Sequence, residues 1–134
     1  MSKIIEVVKG LQELEKVGRT SLADIRDAET QLCTNFADEY KEYLSEFGAI
    51  SAHGIELTGI ISVEYCNVVS VTKQERKLNK LVPQNMYVIE NTFVDGVIIW
   101  QDKEGLIYFT KPNSSPKFLA NSLVEYIKKR CSTK

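Results

Sequence analysis

Histidine is almost missing from this sequence: His53 is the only one in 134 residues. That removes the usual supply of neutral-pH proton shuttles and metal ligands. Cysteine is scarce and badly placed for a staple. Cys33, Cys66 and Cys131 are odd in number and contain no C-x-x-C pair, so they read as reduced thiols of a cytoplasmic protein. Long apolar runs are lacking too; Val97 to Trp100 falls far short of the roughly 20 residues that cross a bilayer, so no membrane association is expected. The opening MSKIIEVVKGLQELEK interrupts with glutamates the apolar stretch that a signal peptide requires. Charge of one sign is not in excess either. Lys and Arg number 17 against 18 Asp and Glu, a net charge of -1, which gives no overall field for holding polyphosphate and argues against direct nucleic-acid binding. No Walker A loop, G-x-G-x-x-G, H-E-x-x-H or G-x-S-x-G element occurs. The chain is therefore expected to have no catalytic residues, metal ligands or cofactor, and His53, in Ser51-Ala-His-Gly54, reads as a solvated loop residue.

What is present is a balance of 43% hydrophobic and 26% charged residues, that of one ordinary globular domain over residues 1–134. Ile4, Val7, Val8, Leu11 and Leu14 recur at helical spacing before Gly18, predicting a first amphipathic helix. Ser21 and Asp24 have the spacing of an N-cap and its first-turn carboxylate, opening a second helix to about Cys33. FADEYKEYLSEFG predicts a third, ended by Gly48. Beyond Gly48 the chain turns to short Ile-, Val- and Tyr-rich segments punctuated by glycine, which are strands. A short helix is expected between Asn67 and Leu81. MYVIEN, VIIWQ and LIYFT then form a three-strand meander through turns at Asp95-Gly96 and Asp102 to Gly105. After the loop Pro112 to Pro116, the pattern Leu119, Leu123, Val124, Ile127 predicts a closing helix with a basic end. Helices first, a meander, then one helix is the order of an α+β domain.

The near-zero net charge hides opposite-sign segments. Phe36 to Cys66 holds six acidic residues against Lys41 alone, while Asn67 to Val82 and Lys111 to Lys134 are basic. An acidic middle suits either a solvated face or docking of a basic protein.

DIRDAETQLCTNFADEYKEYLSEFG resembles the N-terminal signature of the SUKH superfamily, related to the yeast cell-wall regulator Smi/Knr; Glu29, Leu32, Tyr40, Leu44, Phe47 and Gly48 carry the match. ELTGI with the following polar helix, VPQNMYVIEN and VIIWQDKEGLIYF are similar to the family's central sheet, and NSLVEYIKK to its last helix. Phe36-Ala37 replaces a frequent Leu-Pro, and Cys33 a frequent glycine. The resemblance implies a Smi/Knr-like α+β fold, an antiparallel sheet of about 4–6 strands against N-terminal helices and a C-terminal helix. It also implies a non-catalytic bacterial immunity protein (antitoxin). Such a protein blocks the active site of a cognate polymorphic toxin encoded by an adjacent gene, a nuclease being one such target, and acts as a monomer or weak homodimer. The alternative within the same family is a regulatory or scaffold interaction module. On this reading the partner-binding candidates are Glu56, Glu64, Glu90, Asp95, Trp100 and Asp102, acidic or aromatic residues on or between predicted strands, able to steer or anchor an interface.

Overall fold

The helical signals of the first third are realised with one exception. In the computed structural model, which describes residues 3–132, α1 covers only Lys3–Lys9. The predicted continuation through Leu14 is absent. Gly10 follows α1 directly, and a glycine in a helix interior costs roughly 1 kcal/mol relative to alanine; Glu15–Lys16 instead form β1. Leu11 and Leu14 still pack against the core. α2 (Leu22–Leu32) starts at Ser21, whose hydroxyl accepts the Asp24 N–H at 3.1 Å, and stops at Cys33, held left-handed at φ 55°. Left-handed backbone there explains why glycine would suit this position. α3 (Asp38–Phe47) begins after Ala37 without a side-chain cap. Glu29 holds the turn between the two helices, accepting the Phe36 N–H at 2.7 Å and pairing with Lys41 at 3.7 Å.

β2 (Ile50–Ala52) and β3 (Ile55–Leu57) pair antiparallel beside β1 in a three-stranded sheet. α4 (Val68–Leu78) follows a 3₁₀ turn at Glu64–Cys66, and Asn67 caps it by accepting the Val69 and Ser70 N–H groups. Then β4 (Met86–Asn91), β5 (Ile98–Asp102), β6 (Ile107–Thr110) and β7 (Lys117–Ala120) form an antiparallel meander. The molecule is thus α+β, with its strands divided between sheets of three and four. Leu119 lies on β7, not in the closing helix: pairing with β6 captures these residues, and α5 (Leu123–Ser132) begins later.

Both faces of the four-stranded sheet are covered where β4 and β5 run, so these strands read as nearly continuous apolar runs rather than alternating ones. Tyr87, Ile89 and Ile99 face the main core with α3 and α5, while Val88, Ile98 and Trp100 meet Val71 of α4 and Val82 on the other side. A bulge between Val88 and Glu90 turns the Ile89 carbonyl to accept the Thr58 N–H, at 2.9 Å, tying the sheets together. The glycine ending α3 has a steric reason: a Cβ on Gly48, at φ 77°, would stand 2.1 Å from the Gly18 carbonyl oxygen, and one on Gly59 only 1.8 Å from that of Gly48.

Candidate protein-binding surface

Buried aromatic residues of this chain have their polar tips bonded and their rings packed. Besides Phe118 of β7, which is 54% exposed and stands edge-on to Tyr108, two aromatic residues depart from that rule together. Tyr65, on the 3₁₀ turn, and Phe93, on the β4–β5 connection, are 54% and 66% exposed, with ring centroids 6.3 Å apart. Val63 and Val94 beside them are exposed as well. Apolar side chains from two separate segments are thus gathered in solvent, the kind of exposed patch that makes a candidate binding surface.

The backbone holds this pair in place at some expense. Phe93 adopts φ 56°, a left-handed conformation that disfavours a bulky residue by roughly 1–2 kcal/mol. Its N–H is bonded to Asn91 Oδ1 at 2.9 Å. Asp95 and Gly96, at φ 54° and 71°, follow as the two central residues of a hairpin turn closed by the Val97 N–H on the Val94 carbonyl at 3.0 Å; positive φ at both is the type I′ signature. The Tyr65 hydroxyl donates to Glu56 Oε2 at 3.0 Å, and that bond to the carboxylate, with Cys66 nearby, pushes the phenol up to about 12. An aromatic ring fixed in this way loses little freedom when a partner covers it. Beside Phe93 a hollow of about 520 Å³ continues past Gly96 and Pro112 to Leu78, giving the ridge an adjoining cleft.

The acidic and aromatic candidates from the sequence fall into two groups. Glu56, Glu64 and Asp95 belong to this surface: Glu56 is bonded to Tyr65, Glu64 precedes it, and Asp95 shares the turn of Phe93 and Val94. Glu90, Trp100 and Asp102 are buried and serve the fold. Trp100 donates its indole N–H to Thr110 Oγ1 at 2.9 Å under α4. Asp102 accepts the Glu104 and Leu106 N–H groups and so builds its turn. Glu90 accepts from the Glu56 N–H, at 2.9 Å, and from the Tyr126 hydroxyl, and pairs with Arg130 at 3.3 Å. Burial pushes its carboxyl up, while those three partners pull the other way. Glu90 thus fixes the strand that carries Glu56 without meeting solvent. His53 is exposed in the β2–β3 turn, 3.5 Å from Glu13.

Tyr65 and Phe93 were not among the candidates taken from the sequence. A signal existed for Phe93, since an aromatic two residues before Asp95-Gly96, in a hairpin loop, has no sheet face to pack against. Glu39 was also passed over: its carboxylate accepts the Leu123 and Val124 N–H groups at 2.7 and 3.0 Å, capping α5 from α3, and takes a bond from Gln101. Among the described residues no group of three or more His, Cys, Asp or Glu is placed to hold a metal ion, and no helix is long and apolar enough to cross a membrane.

The α+β scaffold thus presents an exposed aromatic ridge with carboxylates beside it. The family described as SMI1-KNR4 cell-wall (SUKH_5) matches residues 1–132, and the chain belongs to this SUKH family. No curated protein matches the sequence.

Proposed function

We propose that this chain is an immunity protein that binds a cognate toxin domain and blocks its active site through the Tyr65–Phe93 surface. The observation that carries the reading is Phe93, held left-handed and open to solvent beside Tyr65; strained, exposed aromatics persist where function uses them. Glu56, Glu64 and Asp95 supply the steering charge for a basic face, such as that of a nuclease. The protein works in the cytoplasm as a one-to-one partner, without catalysis of its own. SUKH membership supports this reading. Coexpression with the toxin domain encoded beside it tests the idea. Growth should be rescued by the wild-type chain and lost with Tyr65→Ala/Phe93→Ala; a toxin neither bound nor neutralised by the wild type defeats the proposal. The family's cell-wall description favours a second reading, a regulatory interaction module using the same surface. Recovery of a non-toxin partner that depends on Phe93 would favour it.

A further inference from the structure

The stripe of α4 that faces the sheet runs through Val68, Val71 and Thr72, all buried, and continues at the same helical spacing to Glu75 and Asn79. An apolar residue is what the position of Glu75 calls for. The glutamate there is half-buried and stands in the last turn of α4, where the free carbonyls form the negative end of the helix dipole. It lines the hollow of about 520 Å³ beside Phe93, a volume within the range of ligand sites. Ile98 of β5 and Thr110 of β6, which are cross-strand partners, give this hollow its buried wall. Leu78 and Phe93, 63% and 66% exposed, give it an apolar rim.

The other polar groups of the hollow are committed to the fold. Thr110 Oγ1 accepts the Trp100 indole N–H, and Asn91 Oδ1 accepts the Phe93 N–H. Asn79 donates to the Ser114 carbonyl and accepts the Leu81 N–H. The neighbouring Arg76 guanidinium is turned to the carbonyls of Leu32, Gln84 and Met86. Among the described residues, no hydrogen bond or ion pair reaches the Glu75 carboxylate, Lys111 at the same hollow included. Lys111 is exposed, so water and salt screen it, whereas burial pushes the Glu75 carboxyl above its ordinary range. A carboxylate that the fold turns inward and leaves unpaired costs stability, and an incoming cation recovers that cost.

We propose that this hollow seats one arginine side chain of the bound partner, its guanidinium on the Glu75 carboxylate and its stem against Leu78 and Phe93. Arginine suits the seat better than lysine does. Its planar, weakly hydrated guanidinium stacks on an aromatic face and bonds a carboxylate through two donors at once. The seat deepens the Tyr65–Phe93 reading and rests on it for the partner, a protein with a basic face. Its chemistry is testable without that partner.

The test titrates the ¹⁵N-labelled chain with Nα-acetyl-argininamide and, at equal ionic strength, with its neutral isostere Nα-acetyl-citrullinamide. Argininamide should give saturable shifts at the amides of Leu78, Asn79, Gly96 and Ile98, with affinity at least about fivefold above the citrulline analogue. Glu75→Gln should bring the two ligands to equal affinity while the urea midpoint stays at or above that of the wild type. It should also raise the dissociation constant of the cognate toxin domain at least about fivefold. Absence of saturation, equal affinity of the wild type for both ligands, shifts confined to another face, or a Glu75→Gln chain that keeps its preference would each overturn the seat. A toxin domain whose binding is weakened by Tyr65→Ala/Phe93→Ala but untouched by Glu75→Gln would overturn the seat and leave the partner surface standing. A clear argininamide preference in a chain that binds no toxin domain would uphold the seat and defeat only the toxin reading.

Discussion

The buried tyrosines of α3 and β4 and the exposed ring pair of the 3₁₀ turn and the β4–β5 connection use aromatic side chains in opposite ways. Tyr43 accepts the Ile50 N–H and donates to the Thr58 carbonyl, and Tyr87 accepts the Ala37 N–H and donates to Gln101. Tyr40 meets Thr58 Oγ1, which itself donates to the Val88 carbonyl, so the tyrosine supplies the proton between them. Each ring is buried and each hydroxyl ties one layer to another. Tyr65 also has its hydroxyl bonded, to Glu56, yet its ring and that of Phe93 remain in water. The difference teaches where the molecule is finished and where it is not. The buried group contributes to folding, whereas the exposed pair contributes little to it, which is why the proposed partner surface is placed there.

The sharpest way to break this contrast is to truncate on both sides of it. Trp100→Ala removes the largest side chain of the second core and should cost about 3–5 kcal/mol, read from urea denaturation. A loss below about 1 kcal/mol would mean that the core beneath α4 is not packed as described. Glu39→Ala comes next. It strips the carboxylate from the α5 N-terminus and from Gln101, and charged hydrogen bonds of this kind make a loss of about 2–3 kcal/mol the expected result. Amide exchange at Leu123 and Val124 should quicken with it.

How much of this was legible beforehand depended on whether a residue's role was local. Helices α2 and α3 announced themselves through Ser21, through periodic Leu and Tyr, and through Gly48, and the β4–β6 meander through its turn residues. The family signature was equally readable because its members are structural: Glu29 fixes a turn, Tyr40 and Leu44 fill the core, and Gly48 permits a close backbone approach. The surface was only half legible. Glu56, Glu64 and Asp95 stand out as acidic side chains on predicted strands or turns. Trp100, which shares a strand face with Ile98, also suits core packing and lies in the core with it, whereas nothing local marks Glu90 as covered by α5. Leu119 was misplaced for a related reason: its apolar period suited a helix equally well until β6 supplied a pairing edge.

Smaller effects refine the contrast. Cys33 and Phe93 are both non-glycine residues at positive φ, 55° and 56°. Replacing either by glycine relieves left-handed strain, so Cys33→Gly and Phe93→Gly should each change stability by no more than about 1 kcal/mol, toward greater stability. Only the second should weaken partner binding. If Cys33→Gly also did so, the functional surface would extend to the α2–α3 turn.

The smallest effect is one of pH. Burial raises the Glu90 carboxyl above its ordinary value, so the native state keeps this proton to higher pH than the unfolded chain does. The associated stability is fully present below the ordinary glutamate range and is lost as pH rises through the raised value. Urea midpoints of wild type and Glu90→Gln across pH 4 to 7.5 should therefore diverge in the variant's favour as pH rises. A gap independent of pH would show that Arg130 and Tyr126 fully offset the burial.

The central claim is the proposal that the exposed ring pair is the partner surface, and it is tested most directly by the dissociation constant for the proposed cognate toxin domain. Tyr65→Ala/Phe93→Ala should raise that constant at least about thirtyfold, as expected for interface anchors, with the urea midpoint unchanged. An unchanged constant in a folded double variant would contradict the account.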